Sequence, residues 1–136
     1  MGYDSREFEN DDVILYSLDN TTYTSAVSDE KNTKTIKLRW IHDFGDNNLQ
    51  VVTNKDKEDL KYEIKWYRYK FGAPSADKYS GVYWEDIDPV EGNEFECSFK
   101  PDVAVAEEKI KAIIFYDGHS IVSNIIVFTN EKEVVN

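Results

Sequence analysis

The sequence has almost no cysteine: Cys97 is the single one among 136 residues, so no disulfide can form within the chain. This excludes the class of small secreted domains that depend on disulfides, and a chain of this length can bury a sizeable core without them. Long apolar runs are also missing, because no stretch approaches the roughly 20 residues that a membrane-spanning helix requires. Residues 1–12 are polar and acidic and lack the apolar centre of a signal peptide. We therefore expect one ordinary domain that does not insert into a membrane.

Basic residues are few relative to acidic ones. The chain has 16 Lys and Arg against 27 Asp and Glu, which gives a formal net charge of -11. A surface with this charge repels phosphate backbones and anionic headgroups, so nucleic acid is not an expected partner. The charge is expected to keep the domain soluble, and calcium binding or a basic partner is the alternative explanation.

Helical periodicity is lacking as well, and short alternating segments take its place. Apolar Ile36, Leu38 and Trp40 alternate with Lys37 and Arg39, which is typical of a strand with one buried and one exposed face. Strands are predicted in the same way over residues 13–18, 35–41, 49–52, 61–71, 79–87, 95–99, 109–116 and 121–129. The pattern indicates an all-β, antiparallel β-sandwich of about seven or eight strands.

Turn residues divide this pattern and set its limits. Asp117-Gly118 stands between two apolar runs, which is the strongest short-range signal of a β-hairpin. The second run, residues 121–129, is apolar at both alternating sets of positions, so we expect that strand to be covered on both sides. Residues 101–107 are rich in Ala and acid and are compatible with one helical turn. The sandwich is predicted to span residues 12–130, after a flexible lead-in at 1–11 and before a tail or linker to a following domain at 131–136.

Two segments resemble immunoglobulin-like domains. Ile64-Lys65-Trp66-Tyr67 resembles the third strand of that family, in which a core Trp follows an apolar residue two positions earlier. Residues 101–116 resemble the family's crossing turn and the alternating strand after it, and the likeness covers residues 35–129. The family's bridging cysteines are absent, since Leu38 stands near the first position and Ala112 or Ile114 near the second. The corner Tyr is also missing, with Ile110 nearest to it.

The chain therefore looks like a disulfide-free member of the family. Such domains occur as modules in bacterial surface proteins and in phage tail and fibre proteins. The stretch from Trp66 to Trp84 and the ending at residues 129–133 are most similar to modules in virion proteins of phages of Gram-positive bacteria. The resemblance implies a structural or adhesive module within a longer chain, on a virion or a cell surface. A free-standing chain would instead be expected in the cytoplasm.

Residues that often carry chemistry do not form a catalytic pattern here. His42 and His119 have none of the spacings of a zinc site, and both are expected to lie at the surface. Ser120 adjoins His119, but neighbours along a strand point to opposite faces, and no nucleophile elbow is present. Cys97 lies between Phe95 and Phe99 at an inward position, which predicts a core residue.

Two acidic segments offer weaker alternatives. Residues 43–48 supply several oxygen atoms in one turn, which could suit calcium, although a hydrogen-bonded turn is the preferred interpretation. Glu85, Asp86 and Asp88 could in principle act as paired carboxylates in glycoside hydrolysis, but acidic turns are common on sandwiches. We therefore predict no catalytic residue, no cofactor and no metal ligand.

The aromatic residues form the most informative pattern. Trp40 and Trp66 share their position in the alternation with core residues and are expected to be buried. Other rings lie at the opposite positions of the 61–71 strand or on a strand next to it. Together they are the predicted interaction surface: Tyr67, Tyr69, Phe71, Tyr79, Tyr83 and Trp84. The alternative is that these rings cover a sheet edge or pack beneath the loop at residues 72–78.

These patterns favour a non-catalytic structural or interaction module of a larger assembly, and the resemblance implies a phage tail or fibre protein. The expected partners are proteins of that assembly. A carbohydrate-binding module is the alternative, in which the rings would stack on sugars of a host-surface glycan. A hydrolase acting through the 85–88 acidic cluster is a third possibility.

Overall fold

The computed structural model describes residues 11–18, 21–23, 33–71, 84–102 and 106–130, except for the side chains of residues 70 and 71. Several predicted segments lie outside these ranges: residues 1–10 of the lead-in predicted at 1–11, the tail at 131–136, the loop at 72–78, and the residues Tyr79 and Tyr83. The described strands are β1 Asp12–Ser17, β2 Thr22–Tyr23, β3 Lys34–Asp43, β4 Leu49–Val51, β5 Glu63–Phe71, β6 Glu85–Ile87, β7 Glu96–Phe99, β8 Glu107–Tyr116, β9 His119–Val122 and β10 Ile126–Asn130. A 3-10 turn at Asn54–Asp56 runs into the single-turn helix α1, Lys57–Leu60.

The strands form two sheets, which confirms the predicted all-β class and the sandwich-like architecture. In the smaller sheet, β1 pairs with one edge of β3, and β4 and β7 follow each other along its other edge. In the larger sheet the order is β2-β10-β8-β5-β6, with β9 also paired to β8. The pairs are antiparallel except β2 with β10, which are parallel. The larger sheet is therefore mixed, whereas the sequence predicted purely antiparallel pairing.

The alternation in the sequence explains the core. In β8, Ile110, Ala112 and Ile114 are completely buried, while the residues between them face outward. Trp40 and Trp66 are buried as predicted, and the Trp66 indole N–H donates to the Glu94 carbonyl at 2.8 Å. The two inner faces meet in one cluster of buried side chains: Leu15, Tyr23, Ile36, Leu38, Trp40, Val52, Tyr62, Ile64, Trp66, Cys97, Phe99, Ile110, Ala112, Ile114 and Phe128.

The predicted hairpin at Asp117-Gly118 is confirmed. Both residues have positive φ, 52° and 76°, which is the left-handed geometry of a type I′ turn. The register that follows pairs Tyr116 with His119. Gly at the second position avoids the backbone strain that a side chain would cause there.

The prediction of a single strand at residues 121–129 is wrong, because the strand is interrupted between β9 and β10. The Ser123 hydroxyl accepts a hydrogen bond from the Ala112 N–H at 2.9 Å and donates to the Asn124 carbonyl at 2.8 Å. The Asn124 side chain then accepts from the Leu15 N–H at 2.6 Å and donates to the Leu15 carbonyl at 3.2 Å. These side chains replace ladder bonds locally and join the larger sheet to β1.

Other segments agree with expectation in part. The strand predicted at 79–87 is described only from residue 84, and there β6 covers Glu85–Ile87. The helical turn expected at 101–107 falls mostly on residues 103–105, outside the described ranges, and Glu107 already opens β8. The described helix, α1, is too short to cross a membrane, and no other described segment forms a membrane-spanning helix.

Candidate interaction surface

The outward face of the larger sheet is a regular grid of side chains, which we call the outer face. It is formed by the residues of β5, β8, β9 and β10 that alternate with the buried ones. Read across these strands, its central rows are Lys65–Ile113–Val122, Tyr67–Lys111 and Tyr69–Lys109–Val127. Rows of this kind bring side chains of neighbouring strands to about 5 Å of one another, so residues distant in sequence act as one surface.

Aromatic rings and lysines interleave on this face. Trp84, just before β6, packs its ring on that of Tyr69, with centroids 5.5 Å apart. The Lys111 Nζ lies 4.2 Å from the centroid of Trp84 and 6.0 Å from that of Tyr67. The Lys109 Nζ lies 5.6 Å from the Tyr69 centroid. Contacts of this kind contribute about 0.5–1 kcal/mol each at exposed positions, so they favour these positions of the ammonium groups.

The structure brings three of the six predicted surface aromatics together. Tyr67 and Trp84 are half-buried, whereas Tyr69 is only 8% exposed and packs against Trp84. Phe71 lies on β5, but its side chain is outside the described part of the chain, as are Tyr79 and Tyr83. That these residues bind a partner stays a prediction, in which Tyr69 acts as a support and not as a contact residue.

Sequence reasoning missed the apolar part of the outer face. On this face Phe115 is 37% exposed, Val122 is 56% exposed and Val127 is 38% exposed. Because Val122 and Val127 belong to the 121–129 segment, the expectation that this segment is covered on both sides is wrong. Ile113 lies directly opposite Val122. The signal was available, because the type I′ turn fixes the register and places Val122 outward with Ile113. Contiguous exposed apolar residues mark interaction surfaces.

The lysines of this face differ in exposure: Lys65 is exposed, whereas Lys109 and Lys111 are half-buried. The side chain of Lys65 is 51% exposed and that of Lys109 is 37% exposed, and each lies near a carboxylate of its own strand, Glu63 at 3.6 Å and Glu107 at 3.9 Å. Among the described residues, Lys111 makes no ion pair. Exposed ion pairs between strand neighbours are weak, so these lysines remain able to bind a partner's carboxylates.

His42 was expected at the surface, and this is wrong: it is 7% exposed. Its Nδ1 lies 2.9 Å from the Asp11 carboxylate, whose side chain is completely buried. The same carboxylate accepts from the Trp40 indole N–H at 3.0 Å and from the Asp43 N–H at 3.3 Å. On the other side, the His42 Nε2 lies 3.4 Å from the Tyr116 hydroxyl. This network ties β3 to β8. No Ser, Thr or Cys of the described chain bonds His42, so the network offers no such nucleophile.

The remaining candidates behave as structural residues. His119 is half-buried and Ser120 is exposed, in keeping with alternation along β9. Cys97 is completely buried, which confirms the prediction of a core residue. Burial, and to a lesser extent the nearby Asp88, raises the pKa of the Cys97 thiol to about 12, while Arg68 opposes the shift. A thiol with this pKa is not a nucleophile at neutral pH.

The acidic segments form no ligand cluster. In the 43–48 turn, the Gly45 N–H donates to the Asp43 carboxylate at 2.8 Å and the Phe44 N–H to the Asn48 carbonyl at 3.0 Å, so the predicted hydrogen-bonded turn is confirmed. Glu85 and Asp86 are exposed on β6. Within the described ranges, no group of three or more His, Cys, Asp or Glu side chains is placed to hold a metal ion.

Comparison with known proteins finds no matching family model, no similar curated protein and no similar solved structure. Function must therefore be inferred from the surface of the domain itself. In the described part of the chain, the outer face combines exposed apolar residues, clustered rings and lysines that contact those rings.

Proposed function

We propose that this chain is an immunoglobulin-like module that acts without catalysis, as an interaction domain of a larger assembly. The order of the strands supports the family. The strands β1, β3 and β7 correspond to A, B and E of an immunoglobulin sandwich, and β5, β8 and β10 correspond to C, F and G. The strand β6 then takes the place of C′.

Core residues agree with that correspondence. Trp66, on the strand equivalent to C, is 1% exposed, as is typical of the family's core Trp. Leu38 and Ala112, near the positions of the bridging cysteines, both belong to the buried core. Apolar packing thus takes the place of the disulfide.

The outer face carries the proposal of an interaction role. In the described chain it is a sheet surface on which Phe115, Val122 and Val127 are each more than one third exposed, next to rings that contact lysines. A solvated sheet face is usually polar, so exposed Val and Phe there favour a surface that a partner covers. The proposed setting is a phage tail or fibre protein, as the sequence resemblance suggests, with the chain forming part of a longer protein.

The alternative is carbohydrate binding through Tyr67 and Trp84, which are half-buried and therefore partly accessible. Stacking on a sugar requires a free ring face. Because the Lys111 ammonium lies 4.2 Å from the Trp84 centroid, one face of that indole is already occupied. Protein binding therefore remains the first proposal.

Particle incorporation tests the proposed function. The chain, within its parent protein, is expressed with Tyr67→Ala and Trp84→Ala, and particles are separated by density gradient. The double variant is expected to reduce the fraction of chain in particles at least fivefold, since interface aromatics commonly dominate binding. Tyr16→Ala is the matched control, because Tyr16 is 43% exposed on the smaller sheet. Unchanged incorporation of the double variant, or a chain that never occurs with particles, would contradict the proposal.

A further inference from the structure

We infer that the outer face binds another protein through a segment that carries apolar residues followed by carboxylates. This inference rests on the proposed interaction role and specifies the chemistry of the partner. It follows from the order of side chains on β8, the central strand of the larger sheet.

The outward residues of β8 form a graded column. From the hairpin end of β8 towards its first residue they are Phe115, Ile113, Lys111, Lys109 and Glu107: two apolar, two cationic and one anionic. Successive members lie about 7 Å apart, because alternate strand residues are separated by two rises of about 3.3 Å. An extended segment of a partner has the same spacing on one face. Its complementary residues are two apolar side chains followed by two carboxylates.

Neighbouring strands strengthen both halves of the column. Beside the apolar half, Val122 lies opposite Ile113 and is 56% exposed. Beside the cationic half, Lys111 lies over Trp84 and Lys109 over Tyr69. The rings favour these lysine positions before binding, so somewhat less side-chain entropy is lost when a partner's carboxylates arrive.

Two other occupants fit less well. A glycan would gain little from the aliphatic side chains of Ile113, Val122 and Val127, and it would compete with Lys111 for the ring of Trp84. A second copy related by a two-fold axis through Lys111, the middle residue of the column, would bring the two Lys111 side chains together. Like charges brought together in this way disfavour binding.

The overall charge of -11 does not prevent local recognition. At physiological ionic strength, charges separated by more than about 8 Å are largely screened. A short acidic segment on the outer face therefore interacts mainly with the charges near its binding position. Lys109 and Lys111 attract it, while Glu107 beside Lys109 and the exposed Asp86 opposite Tyr67 offset part of that attraction.

A designed peptide tests the inference on the whole chain. Its facing residues are Leu, Val, Glu and Glu in that order, separated by Thr, and binding is followed by chemical-shift changes at physiological ionic strength. Replacing both Glu by Gln is expected to weaken binding about tenfold, as is the variant Lys109→Glu with Lys111→Glu. The matched control is Lys37→Glu with Arg39→Glu, two outward cations with the same spacing on β3 of the smaller sheet, and it should change binding less than about twofold. Thermal melting checks folding, and Lys109→Gln with Lys111→Gln serves if the charge-reversed variant unfolds.

Several results of these experiments would overturn the inference. An absence of binding rejects it, as does equal binding of the Gln peptide. Binding of polygalacturonate oligomers in place of the peptide would identify the outer face as a glycan-binding surface. A dimer that sedimentation detects and that Lys111→Glu dissociates would show that a second copy of the chain binds there. If Tyr67→Ala with Trp84→Ala loses particle incorporation while the peptide fails to bind, the proposed function stands and this inference alone fails.

Discussion

Replacing Asp11 by Ala is expected to destabilise the domain strongly, although the residue lies at the very start of the described fold. The Asp11 carboxylate is completely buried and accepts hydrogen bonds from the Trp40 indole, the His42 ring and the Asp43 backbone N–H. The sequence assigns Asp11 to a flexible lead-in, so a small effect would be expected from sequence alone. The structure predicts the opposite.

The magnitude follows from the donors that would be left behind. The Trp40 side chain is fully buried and His42 is 7% exposed, so neither ring N–H has easy access to solvent. A buried donor that loses its partner costs about 1–3 kcal/mol. Two such donors give roughly 2–6 kcal/mol, and a water molecule entering beside the half-buried Asp43 would offset part of this. We expect the free energy of unfolding to fall by about 3 kcal/mol.

Urea unfolding followed by tryptophan fluorescence measures this change. The adjacent residue is the control: the Asp12 side chain is 52% exposed and lies 4.0 Å from Arg39. Asp12→Ala is therefore expected to cost less than about 0.5 kcal/mol. If Asp11→Ala and Asp12→Ala destabilise equally, or Asp11→Ala costs less than about 1 kcal/mol, the network does not hold β3 in the way described.

Two further predictions concern buried groups at other places in the sandwich. Glu108 is completely buried and accepts a hydrogen bond from the Arg68 Nε at 2.8 Å. Glu108→Ala is expected to lower the free energy of unfolding in urea by about 3–5 kcal/mol, because the guanidinium loses its buried counter-ion. A loss below about 1 kcal/mol would contradict this. Burial raises the pKa of Cys97 from 9.0 to about 12, and burial together with Glu94 and Asp56 raises that of Tyr62 from 10.0 to about 12. The unfolded chain therefore releases protons that the native chain retains, and stability should fall as pH rises from 9 towards 12, most steeply above pH 10. Thermal melting at several pH values, compared with Cys97→Ala, checks this, and a melting temperature that stays constant over that range would exclude the effect.

The parts of the fold that could be predicted are those that local chemistry determines. The alternation in β3 and β8 follows directly from residue order, and Asp117-Gly118 fixes its own turn through positive φ at both residues. Such signals do not depend on distant partners. The break after β9 does depend on them, because Ser123 bonds to Ala112 on another strand and Asn124 bonds to β1.

The candidate surface was predictable to the same extent. The position of Tyr67 in the alternation placed it outward on β5, and this required no tertiary information. The contact between Lys111 and Trp84 required the pairing of β5 with β8 and of β5 with β6. His42 was misplaced for a different reason. It continues the buried alternation of Leu38 and Trp40, but its polar side chain suggested the surface, and its partner Asp11 lies 31 positions earlier in the chain.

The core and the proposed binding surface are not independent features of this domain. Because strand side chains alternate, the register that buries Ile110, Ala112 and Ile114 also turns Lys109 and Lys111 outward. A shift of one residue would exchange the two sets and bury the lysines. The large energetic cost of such a shift therefore holds the order of apolar and cationic side chains on the outer face. Pairing of β8 with β5 on one edge and with β9 and β10 on the other adds further restraint. A partner would thus meet a surface whose spacing is set by the core, which is the property that an interaction module within a rigid assembly requires.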